Sequence, residues 1–210
     1  MQDFSLARRA MVDNQLRPEA VTDRGVLAAM GLVARERFVP ETARAFAYFD
    51  RPLPLTKGRA MMPPAALGRL LSELAPRAGE RALIVGSGTG YSAALLGAIG
   101  LDVIALESDD RLAAAARQIG VDTVTGDLIG GWKKAAPYDL ILLDGAVEEI
   151  PAAIVGQLAP EGRLAGAILD RGVTRLVVGR AAGGSFGLRS LVDADVDILP
   201  GFERPRAFTF

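Results

Sequence analysis

The sequence predicts a doubly wound α/β fold with a mostly parallel sheet and helices on both faces. Short apolar runs alternate with helical patterns of about 10 residues between residues 82 and 144. Strands that alternate with helices form βαβ units, and strands that are apolar throughout are typical of a parallel sheet covered on both faces. The strand runs read ALIV, DVIAL, DTVT and YDLILLD, and the helical patterns read YSAALLGAIG and DRLAAAARQIG.

Residues 1–60 are expected to form a helical cap that belongs to the same domain as the ligand-binding core, residues 61–210. Asp23 can cap a helix in TDRGVLAAMGLV, and leucines at helical spacing predict another helix in PPAALGRLLSELAP. The last runs are expected to add antiparallel strands, with a turn at Gly183 and Gly184. These runs read RLAGAIL, TRLVVGRA, FGLRSLVDADV and RAFTF.

The composition excludes several classes of chemistry. Cysteine and histidine are both absent, so no thiolate or Ser-His mechanism is available, and no metal site is expected. The net charge of −1 gives no electrostatic footprint for nucleic acid or a membrane surface. We find neither a signal-peptide pattern nor an apolar run of the roughly 20 residues that span a bilayer. We therefore expect a cytoplasmic protein.

The first strand run leads into a glycine loop, VGSGTGY, at residues 85–91. In a doubly wound sheet, ligands bind at the carboxyl end of the first strand, where glycines allow close backbone approach. A dinucleotide fingerprint has the spacing G-x-G-x-x-G, whereas Gly86, Gly88 and Gly90 are spaced G-x-G-x-G. This spacing favours S-adenosylmethionine and disfavours an NAD-dependent oxidoreductase. A tight turn without a ligand is the alternative.

Acidic residues follow the next two strands. Glu107 ends the second strand, where a carboxylate can accept hydrogen bonds from both ribose hydroxyls. Asp127 follows the third strand, where it can accept from an adenine amino group with Leu128 against the ring. Each acid alone is more often a solvated loop residue. Together with the loop, they predict a ligand of the adenosine type.

Six segments along nearly the full length of the chain form a pattern typical of one family. They read DNQLRP, VLAAMGLVARERFVPE, AYFDRPLPL, VGSGTGYSAALL, GDLIGGWKKAAPYDLILLDGA and IPAAIVGQLAPEGRL. In their order and spacing the chain resembles the protein-L-isoaspartate O-methyltransferase family. The resemblance implies a class I methyltransferase fold that binds S-adenosylmethionine and releases S-adenosylhomocysteine. It also implies methylation of a carboxylate of isoaspartyl residues in damaged proteins, so the expected partner is a protein or peptide.

Two positions depart from the family pattern. A hydroxyl residue that the family links to catalysis aligns with Met62, and an acid before the glycine loop aligns with Ile84. Two alternatives to isoaspartyl methylation therefore stay open. One is a methyltransferase for a different acceptor. The other is an inactive relative that binds cofactor or protein.

Asp144, at the end of the fourth strand, is expected near the point where acceptor and methyl group meet, although an acid there would repel a carboxylate. A capping role is its alternative, and residues 146–150 are expected to begin a helix. Arg51, Lys57 and Arg59 are expected on a solvated face, from which one could attract the substrate carboxylate. Trp132 either anchors its loop or touches the cofactor.

The predicted site residues fall into two groups. Met62 and Asp144 are assigned to catalysis. The residues assigned to the cofactor are Gly86, Ser87, Gly88, Gly90, Tyr91, Glu107, Ser108, Asp127 and Leu128.

Overall fold

The computed structural model describes residues 3–203, and the N-terminal region is helical, as the sequence predicts. Helix α1 spans Phe4–Met11 and continues into a π-helical turn, and helix α2 spans Arg24–Leu32. The carboxylate of Asp23 accepts a hydrogen bond from the N–H of Val26, which confirms the expected cap of α2. Short 3₁₀ turns follow at Arg35–Phe38 and Glu41–Phe46.

An antiparallel hairpin, which the sequence did not predict, ends this region. Its strands are β1, Leu53–Thr56, and β2, Arg59–Met61. Helix α3 then spans Pro64–Leu74 and confirms the helix expected before the first strand of the sheet. The hairpin therefore lies in the chain directly before the core, and residue 59 begins its second strand.

The core is a seven-stranded sheet with the strand order β5-β4-β3-β6-β7-β8-β9. Strands β3 to β7 are parallel, and β8 and β9 extend the sheet antiparallel to their neighbours. This topology confirms the predicted fold class. The strands are β3 (Arg81–Val85), β4 (Asp102–Glu107), β5 (Thr123–Thr125), β6 (Tyr138–Val147), β7 (Leu158–Asp170), β8 (Val173–Ala182) and β9 (Ser185–Asp193).

The chain reverses its direction of travel across the sheet between β5 and β6. After β3 it adds β4 and β5 on one side, and then returns to place β6 on the other side of β3. Such a switch point leaves a crevice at the carboxyl ends of the two central strands. The helices that connect the parallel strands are α4 (Tyr91–Ile99), α5 (Asp110–Gln118) and the short α6 (Ala152–Val155).

The two faces of the sheet bury separate hydrophobic clusters. Leu83 and Val85 belong to one cluster, while Ala82 and Ile84 belong to the other, because successive side chains of a strand point to opposite faces. The cluster with Ile84 also contains Met30 from the N-terminal region. This shared core leads us to propose that residues 1–60 and 61–210 form one domain, as far as residues 3–203 describe them.

Two C-terminal expectations have different outcomes. Gly183 and Gly184 join β8 to β9 with positive φ angles, which confirms the glycine turn. The expected helix at residues 146–150 is wrong, because β6 continues to Val147 and pairs there with Ile168 of β7. The run RAFTF lies outside the described residues.

Candidate active site

The glycine loop connects β3 to α4 at the switch point. Gly86, Gly88 and Gly90 have φ angles of +76°, +58° and +91°, a region that other residues rarely adopt. A Cβ atom at Gly90 would also lie 3.0 Å from the side chain of Val121. The backbone geometry of this turn therefore requires glycine, as the sequence predicts.

Glu107 ends β4 and turns its carboxylate under the glycine loop. The side chain is fully buried. Three backbone N–H groups donate to it: those of Gly88 at 2.7 Å, Ser108 at 2.8 Å and Asp109 at 3.0 Å. The N–H of Gly88 links the carboxylate directly to the loop, so Glu107 lies where a ribose clamp is expected.

Arg59 of the hairpin also binds Glu107. Its two terminal nitrogens donate to the two carboxylate oxygens at 2.5 and 2.8 Å, and Nη2 also donates to the carbonyl of Gly86 at 2.9 Å. Only 5% of the Arg59 side chain is exposed. The expectation of a solvated face is therefore wrong for Arg59.

The cavity beside the glycine loop has a volume of only about 10 Å³, about the minimum that one water molecule needs. Its lining residues are Leu55, Ala60, Met61, Gly86, Ser87, Gly88, Thr89, Tyr91 and Asp144. A larger depression, of about 210 Å³, lies elsewhere, between Arg51, Arg69 and Asp193. The small volume at the loop is consistent with the Arg59 side chain packed against it.

Asp144 borders this cavity from β6. The register of β6 with β7 shifts between Leu142 and Ala146, and Asp144 lies in that irregular stretch. Such irregularities can re-aim a side chain next to a functional site. The hydroxyl of Ser92, in the first turn of α4, donates to Asp144 Oδ2 at 2.5 Å. The hydrogen bond fixes the carboxylate at the crevice.

Burial raises the pKa of Asp144 from its ordinary value of 3.8 to about 6. The hydrogen bond from Ser92 and the positive charges of Arg59 and Arg35 lower this pKa, and the negative charge of Glu107 raises it. Loss of solvation is the largest of these effects. Asp144 therefore changes its charge close to neutral pH.

Arg35, which was not among the predicted site residues, forms a buried pair with Tyr91, which was assigned to the cofactor. The guanidinium lies 4.9 Å from the centre of the Tyr91 ring and donates to the carbonyls of Ala47 at 2.7 Å and Met62 at 2.6 Å. Burial lowers the pKa of Arg35 and raises that of Tyr91. Arg35 Nη1, Tyr91 Oη and Ser87 Oγ have no hydrogen-bond partner among the described residues.

The residues expected around adenine lie beyond β5. Asp127 is exposed, and its carboxylate accepts only a long hydrogen bond from the N–H of Ile129, at 3.3 Å, among the described contacts. Leu128 is buried. The backbone N–H of Trp132 donates to Gln157, and its carbonyl accepts from the hydroxyl of Tyr138. These bonds support a role of Trp132 as the anchor of its loop.

Comparisons with known proteins identify the family of the chain. Residues 7–178 match the family model described as Protein-L-isoaspartate(D-aspartate) O-methyltransferase (PCMT). The chain belongs to this family. A Protein-L-isoaspartate O-methyltransferase of Methylorubrum populi is 42% identical over 75% of this chain and 77% of its own length. One from Pelotomaculum thermopropionicum is 35% identical over 88% and 84%.

Solved structures support the fold. One protein-L-isoaspartate O-methyltransferase superposes with a TM-score of 0.81 at 20% identity, over 92% of this chain and 66% of that chain. A second, from Plasmodium falciparum, was crystallised in complex with S-adenosyl-L-homocysteine. It superposes with a TM-score of 0.76 at 21% identity, over 91% of this chain and 97% of that chain.

The two departures from the family pattern have different surroundings. Ile84 is fully buried in the core, on the face of the sheet that also carries Leu142. Met62 is 2% exposed and belongs to the same hydrophobic cluster, whereas Ala60 and Met61 line the cavity. The role of Met62 in catalysis therefore stays a prediction.

Proposed function

We propose that this protein is an S-adenosylmethionine-dependent protein-L-isoaspartate O-methyltransferase. It transfers a methyl group to a carboxylate of isoaspartyl residues in damaged proteins. The observation that carries this proposal is the buried carboxylate of Glu107, bonded to the N–H of Gly88 in the glycine loop of a PCMT-family fold.

The donor set of the crevice fits the cofactor. Glu107 places a carboxylate at the end of β4, the position of a ribose clamp, with Ser108 beside it, while Asp127 and Leu128 offer an acceptor and an apolar surface for adenine. Gly86, Gly88 and Gly90 keep the loop backbone open to close approach. The unpartnered hydroxyls of Ser87 and Tyr91 line the cavity and suit the methionine end.

The proposed reaction needs no histidine. When bound, S-adenosylmethionine supplies a methyl group on a positively charged sulfur. An acceptor carboxylate with a pKa near 4 is already ionised at neutral pH, so no general base has to remove a proton. The work of the protein is then to align the acceptor and exclude water, which the apolar side chains of Leu55 and Met61 at the cavity support.

We assign Asp144 and Met62 to the acceptor side. The hydrogen bond from Ser92 orients the Asp144 carboxylate beside the cavity, where it would meet the acceptor. Its negative charge opposes a second carboxylate, so its protonated form favours the reaction. Met62 supports this side through its carbonyl, which holds Arg35, rather than through a hydroxyl.

The partners and location follow from charge and composition. We propose protein substrates in the cytoplasm, with neither nucleic acid nor membrane as a partner, because the net charge is −1 and both signs are interspersed. Within residues 3–203, the structure contains no helix of the length and apolar character that crossing a bilayer demands.

Calorimetric titration with S-adenosylhomocysteine tests the cofactor site. Wild type is expected to bind, and Glu107→Gln, which keeps the shape but loses the charge, is expected to bind at least about tenfold more weakly. Arg77→Gln, a substitution at an exposed position before the start of β3, is the control and should match wild type. Absence of binding in wild type would contradict the proposal.

A further inference from the structure

The carboxylate of Glu107 has no capacity left for a ribose. It receives the backbone N–H groups of Gly88, Ser108 and Asp109, both terminal nitrogens of Arg59, and the Ser108 hydroxyl at 3.4 Å. A carboxylate offers about four lone-pair sites. Two ribose hydroxyls can therefore bind only if existing donors leave.

Arg59 is the donor that can leave. The three N–H groups belong to the turns that follow β3 and β4, so their positions are fixed by the backbone. The guanidinium, in contrast, is the end of a long side chain on a short hairpin whose turn, Lys57 and Gly58, is exposed. The cavity beside the loop, of about 10 Å³, is too small for a nucleoside, so side chains around the loop must move when one binds, and Arg59 contacts the loop at the carbonyl of Gly86.

A displaced Arg59 needs another anion. A guanidinium that loses its partner in a buried crevice is strongly destabilised. Ala60 and Met61, the next residues of β2, line the cavity together with Asp144, so Arg59 begins the strand that borders the acceptor side. The proposed reaction brings a carboxylate to this side, next to the acidic Asp144, where a cation would stabilise it.

Two other guanidinium groups of the N-terminal region, those of Arg35 and Arg51, are held elsewhere. Arg35 is bonded to the carbonyls of Ala47 and Met62. Arg51 stacks on Phe46 and Phe49, at 5.3 and 5.4 Å from the ring centres. Among the described residues, Arg59 is the guanidinium that cofactor binding itself would release.

We propose that Arg59 binds the substrate carboxylate after exchanging its partner. It holds Glu107 in the cofactor-free protein, and it turns to the isoaspartyl carboxylate when a ribose takes Glu107. This inference rests on the proposed methyltransferase function. Binding of cofactor and substrate then becomes cooperative. The cofactor releases Arg59 from Glu107, and the substrate gives the released guanidinium a new carboxylate partner.

The test is calorimetric titration with S-adenosylhomocysteine, with and without a saturating isoaspartyl peptide. In wild type, the peptide is expected to tighten cofactor binding about tenfold. Arg59→Gln is expected to bind S-adenosylhomocysteine about tenfold more tightly than wild type without peptide, because the competing side chain is gone. In Arg59→Gln the peptide should no longer affect the affinity, and the KM for peptide should rise more than kcat falls. Arg77→Gln, the same change at an exposed site, should behave as wild type.

Several outcomes would overturn the exchange. If Arg59→Gln binds S-adenosylhomocysteine as tightly as wild type or more weakly, the exchange is overturned but the proposed cofactor site is not. If neither protein binds S-adenosylhomocysteine, the proposed function is overturned as well. If Arg59→Gln fails to fold, the wild-type measurement still decides, because an affinity that peptide does not change contradicts the exchange. Arg59→Lys, which keeps the charge, should retain part of the peptide effect.

Discussion

Ser92 donates a hydrogen bond of 2.5 Å to Asp144, and so joins the first turn of α4 to the irregular stretch of β6. The bond keeps a carboxylate at the cavity beside the glycine loop. Burial raises the pKa of this carboxylate to about 6 in spite of the bond. An acid with this pKa connects pH to both the stability and the activity of the protein.

The first prediction concerns stability. The folded protein holds a proton on Asp144 up to about pH 6, whereas the unfolded chain releases it near 3.8. Stability therefore falls as pH rises through this window, and stays lower above it. Asp144→Asn should be more stable than wild type at pH 7.5 by about 1 to 2 kcal/mol. This value is smaller than the free energy to which the whole pKa shift corresponds, because the side chain is not wholly buried and solvent screens its charge. Below pH 4 the difference should vanish. Urea unfolding at both pH values measures this, and a less stable variant at pH 7.5 would refute it.

The second prediction concerns activity. If the charge on Asp144 repels the acceptor carboxylate, kcat/KM for an isoaspartyl peptide should rise as pH falls from 8 towards 6. Asp144→Asn should remove this dependence and exceed wild type at pH 8 by about tenfold. A pH profile of both proteins provides the check. Loss of all activity in Asp144→Asn would instead mean that the charge itself is required.

The third prediction compares the glycine that caps the start of α4, Gly90, with Gly97 inside the last turn of the same helix. Gly90 has a φ of +91° and its added Cβ would lie 3.0 Å from Val121, while Gly97 of α4 faces open space. Gly90→Ala should cost about 1 to 3 kcal/mol of unfolding free energy. Gly97→Ala should add about 0.5 to 1 kcal/mol. Chemical unfolding measures both variants. Equal changes in their unfolding free energies would contradict the assignment of backbone strain to Gly90.

The fourth prediction compares Met62, which aligns with the family hydroxyl, with Ala60, which lines the cavity, as positions for a hydroxyl group. Met62 packs in the core, and Ala60 lines the cavity. Met62→Ser should lower stability by about 3 kcal/mol without raising kcat. Ala60→Ser should leave stability nearly unchanged and raise kcat, because its hydroxyl would reach the cavity. A higher kcat in Met62→Ser would show that the hydroxyl belongs at residue 62, as the sequence alignment with the family indicates, in spite of the burial of Met62 in the core.

The sheet and the glycine loop could be predicted because their signals are local. Apolar runs of strand length alternate with helical patterns, and G-x-G-x-G follows the first run, so fold and loop follow from spacing alone. Asp23 as a helix cap is similarly local. The hairpin β1–β2 was missed because Pro52 and Pro54 argue against strand structure.

The ion pair at the centre of the site could not be predicted. Arg59 follows an exposed Lys57 and Gly58, which is a pattern typical of a solvated turn. Its partner, Glu107, is 48 residues away, and no periodicity connects the two. The extension of β6 through residue 147 was missed for a related reason, since the N–H of Ala146 donates to the carbonyl of distant Asp197. Tertiary contacts decide both features.

The most direct measurement is methyl transfer from labelled S-adenosylmethionine to two peptides of the same sequence. One peptide contains isoaspartate and the other contains ordinary aspartate at the same position. We expect label on the isoaspartyl peptide alone, in a form that mild alkali removes as a carboxyl methyl ester. Absence of transfer by wild type that binds S-adenosylhomocysteine, or equal labelling of both peptides, would contradict the proposed function.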